Sequence, residues 1–230
     1  MMIKALLFDK DGTLFQFKAT WEAWAHAVLL RLTDGDRERA AEVGQDIGFD
    51  MDTQTFKRDS VVIAGTPAEI VTALQKHFGM SSNALETILN DEAETAPQVE
   101  AVALVPLMES LRARGLALGV ATNDAERPAR QHLEGAGVSE LFDFISGYDS
   151  GNGVKPDAAP CLAFARKVDV RSEQVAMVGD SLHDLKAGRA AGMRTIGVLT
   201  GLATQGELSP YADVVLDNIG QIPAWLDKQA

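Results

Sequence analysis

Two carboxylates one residue apart, Asp9 and Asp11, follow the apolar run Leu6-Leu7-Phe8 and precede Gly12-Thr13. Ionised together in a confined site they repel one another, so the pairing makes sense where a divalent cation lies between them or where the two differ in protonation. Either arrangement suits chemistry in which one carboxylate attacks and the other moves a proton. Similar residues close two further apolar runs: Val120-Ala121 leads into Thr122-Asn123, and Val178-Gly179 into Asp180, with Asp184 one helical turn beyond. A loop rich in Gly, Asp and Pro, residues 147–160, carries Lys155-Pro156. Taken singly, Asp, Asn and Thr are common N-caps where a strand hands over to a helix. Capping is a poorer account of four carboxylates, a hydroxyl–amide pair and a lysine at one end of a sheet.

The elements that must position these residues follow from hydrophobic period. The unbroken apolar run before Asp9 predicts a strand buried on both faces, as in a parallel sheet covered by helices, and ligands of such sheets bind beyond the C-terminal strand ends. Strands are predicted at 116–121, 142–146, 174–178, 195–199 and 212–216, alternating with helices at 105–114, 126–134, 161–168, 181–191 and 221–228. Between residues 20 and 94 only helical patterns recur, including Trp21, Trp24, Val28 and Leu32 at helical spacing. Thr66-Pro67 marks a helix start, and 53–65 reads as a loop or short hairpin. The expected fold is therefore α/β, a Rossmann-like doubly wound parallel sheet formed by 1–14 and 96–230, with a small helical cap, 15–95, inserted after the first strand.

Composition narrows the partners. A net charge of −12 argues against nucleic acid and an anionic membrane surface, both of which need a basic face to displace counterions. An acidic protein with an anionic substrate must gather positive charge locally, from a few Lys or Arg side chains or a metal ion. The single cysteine, Cys161, forms no internal disulfide and reads as a small core residue. The first residues do not form a signal peptide and no apolar run approaches a membrane span, so the cytoplasm is the expected compartment. The four histidines, His26, His77, His132 and His183, show no paired metal spacing and read as helix surface or packing residues.

In order and context, four segments resemble the motifs of the haloacid dehalogenase-like superfamily of phosphohydrolases: Asp9-Lys10-Asp11-Gly12-Thr13-Leu14, Val120-Ala121-Thr122-Asn123, Lys155-Pro156 and Val178-Gly179-Asp180-Ser181-Leu182-His183-Asp184. The stretch from Asp184 to Met193 is similar to the helix that follows the fourth motif in the branch close to phosphoglycolate phosphatase. The resemblance implies that Asp9 attacks phosphorus to form an aspartyl phosphate that water hydrolyses. It implies Mg²⁺ held by Asp9, the backbone carbonyl of Asp11 and Asp180, with Asp184 orienting the ion's water, and Asp11 protonating the leaving alcohol before deprotonating the attacking water. Thr122 and the Asn123 amide would bind phosphoryl oxygens, and Lys155 would pair with Asp9 and the phosphate. Dehalogenases of the superfamily lack the second aspartate, so Asp11 favours phosphoryl transfer. Two departures stand out: Ala158 replaces the middle proline of K-P-x-P-x-P, and Lys10 lies between the aspartates where an apolar residue is common. Alternation along an extended strand points Lys10 away from both aspartates.

The expected substrate is a small phosphorylated metabolite. Lys57 and Arg58, in the one non-helical cap segment, are candidates for reading a second anionic group such as a carboxylate, against the plainer reading of a solvated pair. A sugar phosphomutase and a non-catalytic phosphometabolite-binding protein are the competing functions.

Overall fold

The computed structural model describes residues 2–63 and 65–228, in two compact units: 2–17 with 99–228, and 18–98. The first strand, β1 (Ala5–Phe8), is buried along its whole length. The unit of residues 18–98 follows. Its first helix, α1 (Phe17–Leu32), buries Trp21, Trp24, Val28 and Leu32, and Trp24 Nε1 donates to the Leu89 carbonyl at 3.0 Å. Asp36 caps α2 (Arg37–Gly44) by accepting from the Arg39 amide.

The insert is not wholly helical. Strands β2 (Phe49–Asp50) and β3 (Thr55–Phe56) pair antiparallel, with Phe49 opposite Phe56 and their rings 4.9 Å apart. The turn closes through the Asp50 carboxylate, which accepts from the amides of Asp52 and Thr53, an Asx turn. A two-residue strand is too short to show alternation, which is why the sequence pattern leaves a loop or short hairpin open at 53–65 and gives no strand at 49–50. Helices α3 (Pro67–Leu74), opened by the Thr66–Glu69 capping box, and α4 (Ser82–Thr95), capped by Ser81, complete the unit.

The chain then alternates through α5 (Leu104–Ala113), β4 (Ala117–Ala121), α6 (Glu126–Gly135), β5 (Phe144–Ser146), α7 (Ala159–Lys167), β6 (Val175–Gly179), α8 (Leu182–Ala190), β7 (Arg194–Val198), α9 (Gln205–Leu208), β8 (Val214–Leu216) and α10 (Ile222–Asp227). Only α9 has no counterpart in the hydrophobic pattern. It is a single turn, and its signal is local: the Glu207 carboxylate accepts from the Thr204 amide and hydroxyl, both at 2.7 Å.

The six long-range strands form one parallel sheet in the order β5-β4-β1-β6-β7-β8. In chain order of the core strands this is 3-2-1-4-5-6, the doubly wound Rossmann arrangement. Each face has its own apolar layer. Leu6 and Phe8 of β1 pack with residues of α5, α6 and α10, whereas Ala5 and Leu7 pack with Cys161 and Phe164 of α7 and Ala187 of α8. Burial on both faces accounts for the unbroken apolar run. Strand order reverses at β1, whose neighbours β4 and β6 lead to opposite edges, so the residues after β1, β4 and β6 meet at the switch point. No helix among the described residues is long and apolar enough to cross a membrane.

Gly119 is required inside β4 because a Cβ there would lie 2.5 Å from the Phe164 ring. Gly119→Ala is expected to destabilise the protein by about 1–3 kcal/mol through overpacking. In urea unfolding, Phe164→Leu in the same chain is expected to cost less than it does alone; strict additivity would show that the ring is not the obstacle.

Candidate active site

After Phe8 the chain leaves extended geometry. The Lys10 carbonyl accepts from the amides of Leu14 at 2.9 Å and Phe15 at 3.1 Å, and Gly12 takes φ +83°, in the left-handed region. This tight turn invalidates the alternation rule beyond Phe8 and aims consecutive side chains at two neighbouring groups of charges. Gly12 is needed for a second reason. A Cβ there would lie 2.4 Å from Asp180 Cγ, and one at Gly201, after β7, would collide with Asp180 Oδ2. Asp180 is thus seated between two stretches of bare backbone, and Thr200 Oγ1 holds them together by donating to the Gly12 carbonyl at 2.6 Å.

The first group of charges surrounds Lys155. Its ammonium donates to Asp9 Oδ1 at 2.5 Å and to Asp184 Oδ1 at 2.6 Å, and all three side chains are buried. Asp9, Asp180 and Asp184 each place a carboxylate oxygen within 4.8 Å of the others. Three buried carboxylates therefore share one ammonium. Burial pushes Asp9 up to about 7, with Lys155 opposing and Asp184 and Asp11 adding to the rise. Asp180 is raised well above the usual carboxylate range, by burial and then by Asp184 and Asp9. Burial alone would lower the Lys155 ammonium, but Asp184 and Asp9 outweigh it and hold the group above its ordinary value. Hard oxygen donors with uncompensated negative charge are the donor set Mg²⁺ takes, so these residues fit such an ion.

Asp184 serves two elements at once. Its Oδ2 accepts from the Ser181 amide and hydroxyl at 3.0 and 2.6 Å, closing the capping box of α8, while Oδ1 faces Lys155. Thr122, buried at the end of β4, accepts from the Asp124 amide through Oγ1 at 3.1 Å. The Asn123 side chain clamps the backbone of Lys155: Oδ1 accepts from the Lys155 amide at 3.0 Å and Nδ2 donates to its carbonyl at 2.9 Å. That clamp fixes the loop in which Ala158 replaces a proline.

The second group of charges corrects the expectation that Lys10 points away from Asp11. Its fully buried ammonium lies 2.8 Å from Asp11 Oδ2, 3.2 Å from Asp124 Oδ2 and 2.9 Å from His132 Nδ1. Asp11 therefore turns to Lys10, and its carboxylate is absent from the Asp9–Asp180–Asp184 cluster. Burial would lower Lys10, but Asp11 and Asp124 raise it beyond its ordinary value. Asp124 is pushed up to about 6 by burial, against the pull of Lys10. Asp124 and His132 carry no motif signal; the available cue is Lys10, a cation at the end of an apolar strand that has to find buried counter-charge. Lys57 and Arg58 lie in the other unit, exposed just after β3, where Lys57 Nζ donates to Gln45 Oε1 at 2.7 Å.

In chelator-treated protein, the folded-state value of about 7 for Asp9 exceeds its ordinary 3.8. Proton uptake therefore favours the folded state fully below about pH 4, and this contribution is lost as the pH rises toward 7. Asp9→Asn, which has no charge to bury, is expected to resist urea better than wild type near pH 8, with the advantage gone near pH 4. A difference that stays constant with pH would contradict the assignment.

The sequence pattern of haloacid dehalogenase-like hydrolases matches residues 6–198. Over 236 aligned positions the chain is 32% identical to a phosphoglycolate phosphatase of Rhodospirillum rubrum, covering 98% of this chain and 91% of that one. An N-acetylmuramic acid 6-phosphate phosphatase of Pseudomonas aeruginosa is 26% identical across 99% of this chain and 96% of its own. Among solved structures, CbbY of Rhodobacter sphaeroides in complex with phosphate shares the fold, with a TM-score of 0.74 at 22% identity over 98% of this chain and all of that one. Because the family pattern spans most of the chain and the Rhodospirillum relative is 32% identical over nearly all of it, the chain belongs to the haloacid dehalogenase-like hydrolase family.

Proposed function

We propose that this phosphatase hydrolyses a small phosphorylated metabolite in a Mg²⁺-dependent reaction, with Asp9 as nucleophile and Asp11 as acid and base. The observation that carries the reading is the separation of the two aspartates: Asp9 sits in a carboxylate cluster with Lys155, and Asp11 in a different ion pair with Lys10. Two carboxylates with different surroundings can take different tasks.

Asp9 Oδ attacks phosphorus as the bond to the leaving oxygen breaks, and Asp11 delivers a proton to that oxygen. Water then attacks phosphorus, Asp11 receives its proton, and the electron pair of the Asp9–phosphorus bond returns to the Asp9 carboxylate. This divides one difficult displacement into two. Lys155 neutralises charge on Asp9 and the phosphoryl group, and the Thr122 hydroxyl and Asn123 amide receive phosphoryl oxygens. Asp9, Asp180 and the Asp11 carbonyl would hold Mg²⁺, supported by Asp184; when bound, the ion supplies the positive charge that keeps Asp9 ionised against a phosphate dianion.

Residues 18–98 serve as the cap that selects the organic part of the substrate. The Rhodospirillum relative is named for phosphoglycolate, in which a carboxylate accompanies the phosphate. On that chemistry the substrate is phosphoglycolate-like, and Arg58, with Lys57 beside it, reads the carboxylate.

Phosphate release from p-nitrophenyl phosphate and from a phosphometabolite panel is expected to require Mg²⁺ and to fall by at least about 10³-fold in Asp9→Asn. Equal activity in variant and wild type would overturn the mechanism, and isomer formation without free phosphate would make the protein a mutase. Arg58→Ala is expected to raise KM for a carboxylated substrate while p-nitrophenyl phosphate hydrolysis is unchanged; no change for either removes Arg58 from the substrate site.

A further inference from the structure

We propose that Lys10 is a positioning residue that fixes the Asp11 carboxylate where it receives the proton of the attacking water, and that Asp124 and His132 anchor Lys10 for this task. The inference rests on Asp11 acting as base in the second half of the reaction.

The geometry argues for a built support. An ammonium has three donors and no acceptor; that of Lys10 hydrogen-bonds Asp11 on its own turn and His132 on α6, and it forms an ion pair at 3.2 Å with Asp124 in the loop after β4. Because the ammonium cannot accept, His132 Nδ1 does, which leaves the ring proton on Nε2. Each anchor is fixed in turn. Asp124 Oδ1 accepts from the Ala125 amide at 2.7 Å, and the Asp124 carbonyl accepts from the Tyr148 amide at 3.0 Å. The His132 ring meets the edge of Phe15, with ring centres 6.4 Å apart. Of the four side chains, Lys10, Asp124 and His132 are buried, and Asp11 alone is partly open. The network is closed on its inner side and presents one carboxylate outward.

Stability is a weak reason for this arrangement, since a buried ion pair replaced by well-packed apolar residues of similar size is often no less stable. Methionine at position 10 would fill the volume but would leave the Asp11 carboxylate without its two contacts. In the second step the water oxygen bonds to phosphorus, the Asp9–phosphorus bond breaks with its electrons returning to Asp9, and the water proton passes to Asp11. A carboxylate displaced by an ångström loses much of the advantage of orientation.

The test uses Lys10→Met with p-nitrophenyl phosphate, whose leaving group departs without a proton. Lys10→Met is expected to give a burst of nitrophenolate close to one per enzyme, then turnover slowed by about 10²-fold. Acid-quench mass spectrometry should show phosphoenzyme accumulating, with circular dichroism and the gel-filtration profile as in wild type. Unchanged turnover, or slowed turnover with no phosphoenzyme, overturns the proposal. If Lys10→Met does not fold, Asp124→Asn decides: it keeps the Lys10 charge and loosens its anchor, and it should give the same accumulation to a smaller degree; none overturns the proposal. Asp11→Asn separates the two levels. Accumulation in Asp11→Asn without it in the Lys10 and Asp124 variants refutes the positioning role alone, whereas no accumulation in Asp11→Asn refutes the base itself.

Discussion

The structure depends on burying negative charge at one edge of a parallel sheet with very little positive charge to balance it. Asp9, Asp180 and Asp184 share Lys155, while Asp11 and Asp124 share Lys10. Unpaired buried carboxylates are expensive, and they protonate or recruit a cation before they remain ionised. Three carboxylates around Lys155 against two around Lys10 mark the Lys155 cluster as the one shorter of cations, and burial raises both Asp9 and Asp180 there. The architecture around that cluster holds its members in place. Asp180 is confined between the backbones of Gly12 and Gly201, Asp184 is held by its own helix cap, and Lys155 is held at its backbone by Asn123.

The same constraint explains why two aspartates with a single residue between them have different surroundings. A regular strand would place both on one face and leave a single coupled pair. The turn that begins at Lys10 sends Asp9 toward β6 and the Lys155 loop, whereas Asp11 pairs with a lysine anchored to β4 and α6. The division is set by backbone, because it needs the left-handed Gly12 and the convergence of amides on one carbonyl. The proposed division between a nucleophile and a separate proton carrier rests on that turn.

Much of this was legible in residue order. The unbroken apolar run before Asp9 announced a doubly covered strand, and the alternation after residue 104 announced the parallel sheet; both signals come from burial, which sequence period reports well. Asp9, Asp180, Asp184 and Lys155 were visible as a group because each ends a strand or sits in the loop beside one, and parallel strands bring their ends together. The α9 turn was hidden and the β2–β3 hairpin was left undecided between loop and short hairpin, because each is too short to have a period. Lys10 was misread for a different reason: the alternation rule holds only while the backbone is extended, and the strand stops at Phe8.

Lys10 also shows where a sequence rule fails for a physical reason. A lysine with its ammonium fully buried between apolar layers is unfavourable unless its donors are met, so its presence at the end of β1 already required carboxylates or an acceptor nearby. The residues that meet it are 114 and 122 positions away, Asp124 and His132, and no local pattern links them. What links them is the strand order: β4 lies directly beside β1, so the loop after β4 and the helix it enters lie against the end of the first strand. A charge placed there is therefore answered by the neighbouring strand's loop, and the carboxylate it holds is fixed by the topology of the sheet as much as by its own turn.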